Sequence, residues 1–270
     1  MPIIIDAHVH IQARFDLDVF FDNAWLNFSQ VLGRPKGAQQ NSSFILLLTE
    51  SHGCDVFNTL LEKGNSSHSL TNCAWKFCKT QEKNCLKATN GPKSIIIVAG
   101  SQLVSTEKIE LLSLFSPLDV RDESLPLEEL ARFISKNNGL PLIPWGVGKW
   151  VGRRGRIVRS FLESPPVPCL LVGDNGNRPA MLPYPALLSS AEKKGLTSLA
   201  GSDPLQFATH IRRAGTRGGM LKDAILQDDT PATHLQELLQ SAPQIESFGR
   251  GVGLFRFFYD QFRANVAKRI

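Results

Sequence analysis

The stretch "IIIDAHVHIQ", residues 3–12, decides how the rest of the chain is read. An apolar run leads directly into Asp6, His8 and His10. Side chains alternate between the two faces of a strand, so Asp6, His8 and His10 are expected on one face, with Ile5, Ala7 and Val9 on the other. Two imidazoles at neighbouring same-face positions can grip one cation. Neutral imidazole suits zinc, iron and manganese, and a nearby carboxylate adds charge. A lone histidine after a strand would read as a hydrogen-bonded or solvated residue; Asp-x-His-x-His after an apolar run reads as a metal site.

Other short apolar runs follow: "FILLLT" (44–49), "SIIIVAG" (94–100), "PLIPW" (141–145), "CLLVG" (169–173) and "LTSLAG" (196–201). Their continuous hydrophobicity suits parallel strands buried on both faces. Between them lie helix patterns: "FDLDVFFDNAWLNFSQVLG" (15–33), "PLEELARFISKNNG" (126–139) and "YPALLSSAEKKG" (184–195), each closed by glycine. This alternation predicts right-handed βαβ units and an α/β fold. The expected architecture is a TIM-like (β/α) barrel, with a distorted seven-stranded version as a variant, followed by C-terminal helices. The expected organisation is a single domain over 1–270. Residues 66–92, polar and turn-rich, read as a hairpin or loop insertion, and 215–270 as a helical extension. In that extension "ATHLQELLQ" (232–240) is one helix. The second, "GLFRFFYDQFRANVAKR" (253–269), reads as a packing helix with Leu254, Phe257, Phe258 and Phe262 on its buried stripe.

In barrels and open α/β sheets, functional groups collect at the carboxyl ends of strands. Six runs end in such residues: Asp6, His8 and His10; Glu50 and His52; Gln102; Lys149, close to Trp145 and Trp150; Asp174, Asn175, Asn177 and Arg178; and Asp203. Individually these have plain readings. Asp174 could be a turn residue, and Asp203-Pro204 could be an N-cap followed by proline at N1. The tryptophans could simply pack. Turns and caps do not account for the histidine pair.

The net charge of +5 comes from scattered basic residues, which permits an anionic substrate and ranks nucleic acid lowest among partners. Five cysteines, an odd number without a secretory signal pattern, suggest reduced thiols and a cytoplasmic protein. Cys73, Cys78 and Cys85, with His68 upstream, lack the Cys-x2-Cys spacing of a structural zinc site and read as ordinary thiols. No apolar run reaches membrane-spanning length, and no membrane partner is expected.

The order of His-x-His on the first strand, "LLLTESHG" (46–53), "IIIVAGSQ" (95–102) and an aspartate after the last strand resembles the PHP (polymerase and histidinol phosphatase) family. More distantly it resembles the amidohydrolase superfamily. Both resemblances imply metal-dependent hydrolysis on a (β/α) barrel. "TESHG" sits where PHP proteins carry a Thr-Asp-His-type exit, "AGSQ" where they carry Gly-x-Glu, and "GSDPL" where they carry Ser-Asp-x-His. The chain departs from the family at three points. Gln102 replaces a ligand carboxylate, Leu205 stands where a histidine ligand is expected, and "LIPWG" lacks the histidine that follows the middle strand.

The resemblance therefore implies one or two divalent ions (zinc, manganese or iron) held among Asp6, His8, His10, Glu50, His52 and Asp203. Asp203 is the first candidate for general base, Asp174 the second. Lys149, Arg153, Arg154, Arg156 and Arg178, with Gln102, Asn175 and Asn177, are the candidates for binding an anionic group. "GRRGR" (152–156) is equally well read as a solvated helix start. The expected function is a phosphoesterase- or amidohydrolase-type enzyme using a metal-activated water on a small anionic substrate. The alternative is a degenerate, non-catalytic barrel that binds a small anionic ligand or a partner.

Overall fold

The computed structural model describes residues 2–33, 42–65, 73–118 and 125–267. The runs expected to be strands form β1 (Ile3–Val9), β2 (Ser43–Leu48), β5 (Lys93–Val98), β8 (Leu140–Pro144) and β9 (Leu171–Gly173). The helix patterns form α1 (Leu17–Val31), α3 (Leu127–Lys136), α5 (Ala186–Lys193), α6 (Pro231–Gln240) and α7 (Leu254–Ala267). Asp16 caps α1, its carboxylate accepting from Val19 N at 2.9 Å. The remaining elements are α2 (Val56–Asn65), β3 (Lys76–Lys79), β4 (Cys85–Asn90), β6 (Ser101–Val104), β7 (Glu110–Leu114), α4 (Gly152–Glu163), a 3-10 turn (Ala208–Arg212), β10 (Gly218–Leu221) and β11 (Glu246–Phe248).

The expected TIM-like barrel does not form. The strands divide into a seven-stranded sheet, β11-β10-β1-β2-β5-β4-β3, and a four-stranded sheet, β6-β7-β8-β9, neither closed on itself. The α/β class stands, but among the strands of the described residues only β1–β2, β2–β5 and β8–β9 pair in parallel. The reason lies in the connections. A parallel pair needs a long crossover, whereas a short link forces antiparallel pairing. β3, β4 and β5 follow one another through short loops and pair antiparallel, as do β6 and β7; β8 also pairs antiparallel with β7, although the connection between them carries α3. The run "LTSLAG" contributes isolated bridges from Ser198 to Val172 and from Gly201 to Asn175 rather than a strand.

Alternation along β1 and β2 builds two layers of core at once. Ile4, Phe44, Leu46 and Leu48 pack on Phe20, Phe21 and Phe28 of α1. Ile3, Ile5, Ala7, Ile45 and Leu47 turn the other way, towards Leu112, Leu114, Leu140, Leu142 and Leu171 of the second sheet. The outer face of that sheet, through Ile143 and Val172, packs on α3, α4 and α5, and Trp150 belongs to this layer, with Trp145 packed against it. The sheets meet at a Glu50–Ser101 bridge. Beyond it, Ala7 N donates to Ala200 O and Asp203 N to His8 O, at 3.2 and 2.8 Å.

Two readings of the tail change. Residues 215–270 contribute the antiparallel strands β10 and β11 as well as helices. The aromatic stripe of α7 is not buried: Leu254, Phe258 and Phe262 are exposed, as are Phe255 and Tyr259. Polar contacts hold that helix to the body instead. His210 Nε2 lies 3.0 Å from Asp260 Oδ2, and Arg256 Nε donates to the same oxygen at 2.9 Å.

The cysteines are all free and do not converge. Cys73 Sγ donates to Asp18, Cys78 is exposed, and burial pushes the Cys85 thiol up to about 12. His68 lies outside the described residues. No helix among the described residues is long and apolar enough to cross a membrane.

Candidate metal centre

The pairing of β1 with β2 shifts register between Asp6 and Val9. Before the shift, Ala7 faces the space between the sheets; after it, Val9 and Ile11 face α1. An irregularity of this kind reverses which face each later side chain points to. His8 and His10 therefore leave the strand on the inter-sheet side, away from Asp6.

Asp6 is fully buried and its oxygens are taken by the chain itself. It accepts from Ser202 N (2.8 Å), Ser202 Oγ (2.5 Å) and Gly215 N (2.8 Å). Burial pushes its carboxyl up to about 6 in spite of these bonds. Its role in the geometry is to tie β1 to the segment that carries Asp203.

His8 Nε2, His10 Nε2 and Asp203 Oδ1 converge. The two ring nitrogens lie 3.1 Å apart, and each is 3.7 Å from the carboxylate oxygen. A circle through these three atoms has a radius of about 2.0 Å, the length of a Zn–N or Zn–O bond. Among the described residues no other three His, Cys, Asp or Glu side chains come together in this way. Burial and the neighbouring His8 lower the His10 ring to about 4, which keeps it neutral as a ligand must be. Burial alone would raise the Asp203 carboxyl. The pull of the His8 and His10 rings and the hydrogen bond from Asn175 outweigh it and hold the group well below the usual carboxylate range.

The loop after β9 sets the orientation of that carboxylate. Asn175 Nδ2 and Asn177 Nδ2 donate to Asp203 Oδ2 at 2.7 and 2.9 Å, leaving Oδ1 towards the histidines. Arg213, which the sequence reading did not single out, donates to Asn177 Oδ1 and Gly176 O, fixing the Asn177 amide. Asp203 has φ of 47°, in the left-handed region that aspartate tolerates better than most residues. It does not cap a helix at Pro204; the next helical turn begins at Ala208.

Gly201 lets this segment lie against β1. A Cβ there would sit 2.4 Å from both N and Cβ of His8. Gly201→Ala must therefore push the two segments apart, and overpacking of this kind costs about 1–3 kcal/mol. We expect a lower melting temperature together with weaker metal binding, read by thermal denaturation and metal titration. An unchanged melt would show that the two segments have room to separate.

Gln102 Oε1 lies 3.1 Å from His8 Nε2, so the amide stands beside the cluster where the family pattern has a carboxylate. Gln102 also lines a cleft of about 410 Å³ with Glu50, Ser51, His52, Cys54 and Leu118. Glu50 does not reach the cluster. Its carboxylate accepts from Val56 N and Phe57 N at the start of α2, at 2.6 and 3.1 Å. His52 is exposed on the rim of the cleft.

The cationic candidates separate in the same way. Lys149 Nζ pairs with Glu110 Oε1 at 2.5 Å, and the charges of this pair act on Asp203 and His10 respectively. Arg178 is bound to Asp174, Nε to Oδ1 at 3.0 Å, and Arg217 pairs with the same carboxylate. Arg153 and Arg156 are exposed on the first turns of α4, and Arg154 donates to Gly148 O. Glu110, Arg213 and Arg217 carried no motif. Glu110 lies on β7, within an apolar run (109–115) that resembles the other strands, which was the available signal.

No family model matches the chain, and no curated protein matches its sequence. Solved structures share its fold. PsfC from Pseudomonas syringae aligns over 99% of this chain and 98% of its own, with 14% identity and a TM-score of 0.52. The lesion-specific endonuclease PfuEndoQ from Pyrococcus furiosus aligns over 92% of this chain, with 10% identity and a TM-score of 0.52. Only 58% of the endonuclease is covered, so this chain spans just over half its length. A two-domain protein from Bacteroides vulgatus, described as containing a predicted PHP-like metal-dependent phosphoesterase, aligns at 15% identity over 96% of this chain and 70% of its own, with a TM-score of 0.47.

Proposed function

We propose that the chain is a metal-dependent hydrolase of the PHP type that acts on a small anionic substrate. The observation that carries the reading is the convergence of two imidazole nitrogens and one carboxylate oxygen at metal-bond spacing. The Asp-x-His-x-His motif and the fold shared with PsfC and the endonuclease support it. The donor set of two histidines and an aspartate suits zinc, manganese or iron. A divalent cation supplies Lewis acidity and lowers the pKa of water towards ~7.

The chain's own groups then have distinct tasks. His8 and His10 hold the ion through Nε2. Asp203 Oδ1 completes the grip, while Asn175 and Asn177 pin the other oxygen. Gln102 offers a neutral oxygen, a weaker donor to a cation than the carboxylate it replaces. Support is therefore for one ion rather than two, since Glu50 is spent on α2. Lys149 and Arg178 are each already paired with a carboxylate, Glu110 and Asp174, so the positive charge for an anionic group comes chiefly from the ion itself.

Asp203→Asn separates ligand from base. The oxygen of the new amide is drawn to the donors of Asn175 and Asn177, which turns its NH2 towards the histidines. We expect metal affinity to fall by at least ~10²-fold, beyond the usual loss for a supporting residue. Activity should fall with it. Normal metal content with a rate loss of ~10²–10⁴ would instead assign Asp203 as general base alone.

The function is tested by metal analysis of the purified chain and a screen across phosphomonoesters, phosphodiesters, amides and a short oligonucleotide. Turnover that depends on zinc, manganese or iron supports the hydrolase. Bound metal with no turnover on any of them favours a non-catalytic binding protein. A chain that retains none of these metals and gains no activity from them sinks both the site and the reaction.

A further inference from the structure

The helix α7 is mounted with its polar side inward. Asp260 meets His210, Arg256 reaches Asp260 and Thr209, and Arg263 lies over the Phe207 ring. Phe255, Phe258, Tyr259 and Phe262 recur at i, i+3, i+4 and i+7, so they form one stripe. They are 95%, 64%, 54% and 70% exposed. The stripe continues onto a neighbouring loop. Pro179 bridges to Val252 and Ala180 N donates to Val252 O, which sets exposed Met181 and Leu182 beside the start of the helix.

Charge around the stripe has one sign. Residues 249–270 contain Arg250, Arg256, Arg263, Lys268 and Arg269 against a single acid, Asp260, which is buried on the inward side. A second copy of the chain would bring like charges together on both sides of the contact. A helix with aromatics on one face and cations around it has the composition of one that lies in a lipid interface.

We propose that the outward face of α7 docks the protein on an anionic phospholipid surface. The aromatic stripe enters the headgroup boundary, and exposed Arg250 together with the net positive charge of this segment draws it to the lipid phosphates. The helix lies in the interface and does not span it, consistent with its length. This inference is independent of the hydrolase reading, because none of these residues touches the metal cluster. It also departs from the sequence expectation of no membrane partner, which rested on the lack of an apolar run of membrane-spanning length.

The test is sedimentation of the full chain with two kinds of vesicle. One is phosphatidylcholine alone; the other contains about one-third phosphatidylglycerol. We expect at least about tenfold more bound protein on the anionic vesicles, weakened by added salt as exposed charge interactions are. Phe255→Ser with Phe258→Ser should lower that binding about tenfold while leaving circular dichroism and metal content unchanged, since both rings are exposed. Equal or negligible binding to the two vesicles would overturn the proposal. So would binding that the double substitution does not change, which would show adsorption by charge alone. A dimer seen by sedimentation velocity without lipid, and abolished by the same substitutions, would assign the face to a second copy instead.

Discussion

A chain carrying His8→Ala together with His10→Ala is expected to purify without bound transition metal and to keep its fold. The pair supplies two of the three converging donors, both through Nε2. What remains is one carboxylate and one neutral amide, too few donors to hold a transition ion against water. The fold should survive because neither ring belongs to the three apolar clusters that join the sheets and helices. The backbone bond from Asp203 N to His8 O does not need the imidazole. Metal content after dialysis against a weak chelator, measured beside a thermal melt, checks both halves. Equal metal in parent and variant would refute the site. Loss of metal with a collapsed melt would leave ligand and structural roles entangled; His10→Gln alone then serves, because His10 makes no backbone-supporting contact and its ring is the more exposed of the two.

How far this centre was legible follows from what each signal depends on. The histidine pair and Asp203 were legible because they follow apolar runs, and strand ends are where an α/β fold gathers functional groups. The assignment of Asp6 to the same face rested on strict alternation, and a register shift two residues later undid it. No feature of "DAHVH" marks that shift, which is imposed by the pairing with β2. Glu50 has the right residue type and position, but the unpaired amides opening α2 claim its carboxylate first. The barrel failed for a related reason. Apolar runs report burial but not strand direction: short loops set the antiparallel pairs from β3 to β5 and from β6 to β7, and β8 joins β7 antiparallel even across α3. In α7 the aromatic period pointed to a stripe, but the exposed one runs through Phe255, Phe258, Tyr259 and Phe262 and leaves out Phe257. Period alone does not say which side faces the body, and the Asp260–His210 contact decided that.

Asp174→Asn should be among the most destabilising single changes in the chain, and it should leave the metal cluster alone. The sequence reading held Asp174 as second candidate for general base. Its carboxylate is buried and accepts from Arg178 through Nε and Nη2. It also accepts from Arg217, which is itself buried; among the described residues its Nε has no hydrogen-bond partner and it otherwise reaches only Gly249 O. Asparagine keeps the shape but removes the one negative charge these two guanidinium groups share, and its NH2 presents a donor to donors. Breaking a buried pair from one side leaves an uncompensated charge and costs about 3–5 kcal/mol. Chemical denaturation should show a loss of that size, with metal content per folded molecule unchanged, because Asp174 contacts none of His8, His10 or Asp203. Adding Arg217→Met should recover part of it, since the second change removes the stranded charge and coupled sites do not add. If Asp174→Asn is instead as stable as the parent but inactive, the carboxylate is working on substrate, and the base belongs at the end of β9 rather than beside the histidines.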